Sequence, residues 1–395
     1  MINKILFIFL LLINQNTFAA DWSGNFSILS RYYIHDPLID STTQKNHYPS
    51  VAGLPEFYHG WDDDQQNFTF TPFFRLDQND KARNHSDLRE LHWQKVLDDW
   101  EFRIGISKVF WGVTESRHLV DVINQSDTVE NIDGEDKLGQ PMLKFSSEND
   151  IGTIDFFILP GFRERTFSDV DGRLITTPVI DTDQPVYESS DEDRHIDYAL
   201  RWFQVLGDWD LGLSYFTGTS REPLFTPGVR DTQPVLLPYY VLMQQFGLDL
   251  QATTDEWLWK LELIQRQWLA QDFVANTTGF EYSFIGIFDS NTDIGLVMEY
   301  LYDSRGENTT SAFEDDLMFG IRLTLNDVQS TEALFGAIID RDTRETLLSL
   351  EASRRLSDQW KLEFELRSFQ HVDSNGIFQS FRKDDYIQLD LAYYF

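Results

Sequence analysis

The chain has 395 residues, with 32 Lys plus Arg against 65 Asp plus Glu, a formal net charge of −33 and no cysteine. That acidity excludes a nucleic-acid partner, which needs clustered bases. The missing thiols exclude disulfide staples, a thiolate metal site, a Cys nucleophile and an acylated N-terminal Cys. Length alone is compatible with two or three soluble domains, whereas a mean hydropathy of −0.35 excludes a bundle of membrane-spanning helices.

Residues 1–19 read as an export signal. Lys4 precedes the unbroken apolar run Ile5 to Ile13, and Thr17-Phe18-Ala19 offers small residues at a cleavage site. The run is too short to span a bilayer, which takes about 20 helical residues. Cleavage after Ala19 removes Lys4 and takes the charge from −33 to −34. Residues 20–395 then form one domain.

Later elements alternate apolar with polar over about ten residues, as half-buried strands do. They begin near residues 22, 66, 87, 100, 139, 152, 194, 208, 239, 256, 279, 293, 315, 331, 346, 360 and 385. From Trp360, for example, Trp360, Leu362, Phe364 and Leu366 alternate with Lys361, Glu363, Glu365 and Arg367. An up-and-down barrel with both ends on one side needs an even number of strands. The missing strand is expected within 51–62, where Phe57, His59 and Trp61 alternate. The expectation is an all-β, antiparallel transmembrane barrel of 18 strands, with 16 as the alternative.

A soluble sandwich alternates too, but three features favour the barrel. Trp100, Trp209, Trp257 and Trp360 each follow a tight polar turn, and Trp22 opens the first strand; all five lie in the apolar phase. Indole prefers the bilayer–water boundary, so these five form an expected aromatic girdle. The connections at 160–193, 217–239, 268–278, 303–315 and 371–384 are long and alternate with short turns, which is the loop asymmetry of membrane barrels. Finally, residues 385–395 carry Ile387, Leu389, Leu391, Tyr393 and Phe395 in one phase. This resembles the C-terminal strand of Gram-negative outer-membrane proteins. The resemblance implies that Phe395 is the signal read by the barrel-assembly machinery, in a membrane of lipid and lipopolysaccharide.

The stretch 108–141 stands apart. Leu119, Val120, Val122 and Ile123 read as one side of a short helix, leaving Arg117, His118, Asp121, Asn124, Gln125 and Asp127 polar. An apolar stripe on a loop needs a surface to pack against, and the inner wall supplies one. Residues 113–137 are therefore expected to fold inward and present those six residues to solute; an external cap is the alternative. The segment looks like the constriction loop of porins. Trp111-Gly112 and Asp121-Val122-Ile123-Asn124 also resemble a segment of substrate-selective porins of the alginate-export and phosphate-porin type, with Gln125 where that segment usually has Pro.

The lumen-facing phase carries Arg103, Arg201, Lys260, Glu262, Glu281, Glu299, Arg322, Glu351, Lys361, Glu363, Glu365 and Arg367. Charges facing one another across water set ion preference; cross-strand pairing that stabilises the wall is the plainer role. The net acidity points to cations. The acidic runs Asp62-Asp63-Asp64, Glu130 to Asp136, Asp191-Glu192-Asp193 and Glu314-Asp315-Asp316 read as solvated loops, with Ca²⁺ bridging to lipopolysaccharide as the sharper alternative. Asp169-Val170-Asp171-Gly172 and Asn131-Ile132-Asp133-Gly134 lack the distal Glu of a calcium loop, so no metal or other cofactor is assigned.

Two other function classes remain. Acidic loops suit a structural or adhesive barrel. His371-Val372-Asp373-Ser374-Asn375-Gly376 resembles the nucleophile motif of outer-membrane lipid hydrolases, with one residue too many between His and Ser. A spacing of three puts the two on opposite strand faces, where His cannot take the Ser proton. The expected function is a passive channel for small hydrophilic solutes, without catalysis.

Overall fold

The structure, a computed structural model, describes residues 20–38, 43–269, 271–374 and 376–395; the expected export signal lies outside the described residues. Strands β1 (Ala20–Tyr33), β2 (His47–Trp61), β3 (Gln66–Asp77), β4 (His85–Leu97), β5 (Trp100–Ser107), β6 (Gln140–Asn149) and β7 (Gly152–Pro160) lead to the two-residue β8 (Val186–Tyr187). Then follow β9 (Ile196–Leu206), β10 (Trp209–Thr219), β11 (Leu224–Arg230), β12 (Gln233–Tyr240), β13 (Leu242–Thr254) and β14 (Trp257–Trp268). The chain ends with β15 (Gln271–Phe284), β16 (Asp293–Asp303), β17 (Asp315–Thr324), β18 (Glu332–Asp340), β19 (Thr346–Arg355), β20 (Trp360–Gln370) and β21 (Tyr386–Tyr394).

Eighteen of these form one antiparallel sheet, each strand beside its neighbour in sequence, and β1 closes it by pairing with β21. Closure leaves no unpaired edge, so the backbone hydrogen bonds satisfy one another round the ring. The strand expected within 51–62 is β2, which is longer than the sequence suggested. Among the described residues, β8, β11 and β12 alone stand outside the ring, as a small three-stranded sheet at the long-loop end.

Register fixes the two faces. Trp360, Leu362, Phe364 and Leu366 lie opposite Tyr393, Leu391, Leu389 and Ile387 on the outside. Lys361, Glu363, Glu365 and Arg367 point inward. Outward apolar residues such as Ile28, Leu76, Leu213 and Phe246 stay exposed. Among the described residues no packed partner covers this apolar belt, which is the reverse of a sandwich.

One local expectation fails. Residues 268–278 are no long loop: Trp268 pairs directly with Gln271, and β14 and β15 continue as one extended hairpin. The polar residues Gln271, Asp272, Asn276, Thr277 and Thr278 hid a strand that passes beyond the apolar belt. The acidic run Asp62-Asp63-Asp64 forms the turn between β2 and β3, and all three residues take positive φ (60°, 52° and 62°). Asp tolerates that left-handed region better than most side chains, which gives the run a backbone role.

Candidate functional site

The segment between β5 and β6 lies inside the barrel. Its expected helix does not exist: residues 108–139 follow turns and extended chain. Val113, Thr114, Val120, Val122 and Ile123 are β-branched, and Gly112 adds a further cost to helix. The stripe is nevertheless buried, with Leu119, Val120, Val122 and Ile123 between 0% and 4% exposed. It packs on Met142 of β6, Phe157 and Leu159 of β7, Phe216 of β10, Met243 of β13, Ile264 of β14 and Phe273 of β15. Burying each such aliphatic side chain stabilises by roughly 1.5–3 kcal/mol, so this arc of wall is a dry docking surface.

Two wall carboxylates replace the hydrogen bonds a helix would have made. Glu262 Oε1 accepts from Val113 N (2.8 Å), Thr114 N (3.1 Å) and Thr114 Oγ1 (2.7 Å), and Oε2 accepts from Val120 N (3.1 Å). Glu299 accepts from Glu115 N (2.7 Å), Ser116 N (2.8 Å) and Ser116 Oγ. Both glutamates are fully buried. The sequence placed them on a water-facing wall; they staple the inward segment to that wall instead. Gly112, at φ +142°, makes the approach possible, since a Cβ there would sit 2.9 Å from Glu262 Oε1 and 2.8 Å from His118 Nδ1.

His118 sits between Glu135 (2.9 Å) and Glu262 (3.6 Å). Desolvation opposes its charge, but the Glu135 hydrogen bond and the two carboxylates prevail and raise its pKa to about 10. Because this pKa lies above the ordinary value, the stabilisation is complete below about pH 6.5 and is lost as pH rises through about 10. Histidine NMR of the refolded protein should therefore show one imidazole, absent in His118→Ala, still protonated at pH 8. An imidazole titrating near pH 6.5 would contradict this arrangement.

The other five residues expected to face solute divide into two groups. Asn124, Gln125 and Asp127 are at most 1% exposed and act as framework. Asn124 donates to the Ser107 and Leu138 carbonyls and accepts from Val109 N, tying both ends of the segment together. Gln125 holds Arg163 and Arg165, and Asp127 pairs with Arg89 at 2.6 Å. Asp121 pairs with Lys137 at 3.0 Å. Arg117 donates to the Phe313 carbonyl at 3.3 Å and stands 3.7 Å from Glu222.

The space left over is a cavity of about 630 Å³ between the inward segment and the wall from β17 through β21 to β3. Among the described residues ten carboxylates line it: Glu115, Glu130, Asp133, Glu135 and Asp136 of the segment, and Glu332, Glu351, Glu363, Glu365 and Asp390 of the wall. Three cations line it, Arg75, Arg322 and Lys361. Many are paired. Arg322 meets Glu115 and Glu281, Lys361 meets Glu363, and Arg367 meets Asp133, Glu351 and Glu365. Elsewhere on the wall Arg201 makes a two-pronged bridge to Asp249, Lys260 meets Glu115, and Arg103 meets Glu101. The wall charges thus pair across and along strands, the plainer of the two expected roles.

Sequence reasoning missed the five carboxylates that the segment contributes to the cavity. The run Glu130 to Asp136 was read as solvated loop, yet Glu130 is buried against Arg75 and His85. A usable signal was present: Met142, Phe157, Leu159, Ala199, Phe216, Met243, Ile264 and Phe273 are apolar residues in the inward phase of consecutive wall strands, and they mark where the segment docks. Glu314, Asp316 and Asp340 bring carboxylate oxygens within 4.8 Å of one another. Asp316 accepts from Glu314 N, and Asp340 from Asp342 N and Thr343 N, so these groups shape loop turns. His371 and Ser374 both lie in the loop between β20 and β21.

The five tryptophans share the short-turn end and are 36–52% exposed on the outer face. Phe395 stacks on Phe26 of β1 at 5.4 Å, and its N–H donates to Gly24. The final residue thereby helps to seal the closing seam.

No known protein family matches the chain, and no curated protein does. Solved structures do resemble it. A BenF-like porin from Pseudomonas fluorescens Pf-5 is 11% identical, with 95% of this chain and 98% of that one covered and a TM-score of 0.55. A loop-deletion mutant of OmpT, an outer membrane protein of Vibrio cholerae, is 11% identical over 96% and 100% of the two chains, with a TM-score of 0.46. A mutant of the Rh. blastica porin is 12% identical over 95% and 100%, with a TM-score of 0.45. The likeness to the BenF-like porin agrees with the architecture seen here, a porin-type antiparallel β-barrel fold of 18 strands. At these identities the likeness concerns the fold alone.

Proposed function

We propose that this chain is an outer-membrane porin, a passive channel for small hydrophilic solutes that favours cations. The observation that carries the reading is the cavity wall, with ten carboxylates against three basic groups. In a narrow lumen with low-dielectric walls, such an excess concentrates cations and repels anions. The exposed apolar belt supports contact with lipid, and Phe395 in its seam supports handling by the barrel-assembly machinery. The acidic external loops suit a surface rich in lipopolysaccharide and divalent ions. The motif at Trp111 to Asn124 favours the substrate-selective type of porin. The test is a reversal potential across a planar bilayer in a KCl gradient. The expected result is a potential of the sign set by K⁺, and current carried mostly by Cl⁻ would refute the preference.

A further inference from the structure

We infer that residues 161–185 form an outer gate, which the structure holds closed. The inference rests on the channel reading above and adds its regulation. The segment leaves β7 and returns to β9, yet its middle is bonded to the far side of the mouth. Asp171 meets Lys81 at 2.5 Å, Thr43 Oγ1 donates to the Val170 carbonyl (3.3 Å), and Gln44 donates to the Gly172 carbonyl (2.6 Å). The segment is therefore a strap across the opening.

Arg173 is the latch. It is 3% exposed, pairs with Asp384 at 2.6 Å, donates to the carbonyls of His35 and Lys383, and lies 4.6 Å from the centre of the Tyr33 ring. Asp384 also accepts from Leu174 N. The latch thus fastens the strap to two other loops with a buried ion pair, and removing one member would leave the other unpaired.

Leu174 is the plug. It packs with Tyr33, Tyr48, Phe369 and Tyr386, the uppermost inward residues of four adjoining strands, each at most 4% exposed. Ile132 of the inward segment packs beneath it, and its neighbours Asn131 and Asp133 line the acidic cavity. An apolar roof held by a polar latch thus lies between the long-loop end and the cavity, and conduction on that side requires the strap to lift.

The test uses the full chain refolded into planar bilayers. Arg173→Ala should raise open probability about tenfold or more, because it removes one partner of a buried pair. As the chain has no cysteine, Thr43→Cys with Val170→Cys can be bridged by a short bismaleimide. Bridging should silence the current, and the unbridged double variant, which loses the Thr43 hydroxyl bond to the strap, should conduct at least as much as wild type. If bridged and unbridged proteins conduct alike, the gate is refuted and the channel reading stands. If wild type, Arg173→Ala and the unbridged pair all fail to conduct, the channel reading falls and takes the gate with it.

Discussion

Glu262→Ala is expected to release the inward segment and raise single-channel conductance severalfold. The side chain accepts three backbone N–H groups and one hydroxyl of the segment, and its charge faces His118. Its loss strands these donors in a buried site, at a cost of roughly 3–5 kcal/mol. The barrel's strand pairing does not depend on that carboxylate, so the penalty falls on docking. Glu299→Ala should act in the same direction, since it holds the next two residues. Glu101→Gln, which alters a wall carboxylate paired with Arg103 and Lys144 away from the segment, serves as control. Unchanged conductance in Glu262→Ala, with the segment still resistant to protease, would show that the staples are dispensable.

Neutralising part of the cavity wall should weaken cation preference. Combining Asp136→Asn, Glu363→Gln and Asp390→Asn changes the lining from ten carboxylates and three cations, a balance of −7, to seven and three, a balance of −4. The expected result is a severalfold fall in the cation-to-anion permeability ratio, read from reversal potentials. Lys361→Glu should raise that ratio. These four positions line the open cavity and not the dry docking surface, so the fold should tolerate the changes. A ratio that stays constant through the whole set would place the selectivity elsewhere, with Arg117 and Glu222 the next groups to examine.

The barrel was legible in the sequence because a closed sheet with one apolar and one polar face imposes the same two-residue alternation on every element. Even the strand count followed from parity, although β2 carried few signals of its own. What failed did so where a segment left the apolar belt. The β14–β15 hairpin lost its alternation in a polar stretch at 271–278. The inward segment was recognised by its buried aliphatic residues, but its backbone was misread. A helix satisfies its own N–H groups, whereas here Glu262 and Glu299 satisfy them from strands far away in sequence. Asn124, Gln125 and Asp127 looked like solute ligands because polarity alone does not separate a hydrogen-bonded framework from a wetted surface. Arg173 and Asp384 are 211 positions apart, and nothing local marks them as a pair.

The central claim is that one phase of each strand meets lipid while the other meets water. Nitroxide labels placed one at a time at positions 360–364 of β20, in a chain free of native cysteine, measure this directly. Labels replacing Trp360, Leu362 and Phe364 should collide mainly with oxygen dissolved in the bilayer, and those replacing Lys361 and Glu363 with a water-soluble nickel chelate. The opposite alternation, or both sets shielded from the two reagents alike, would contradict the account.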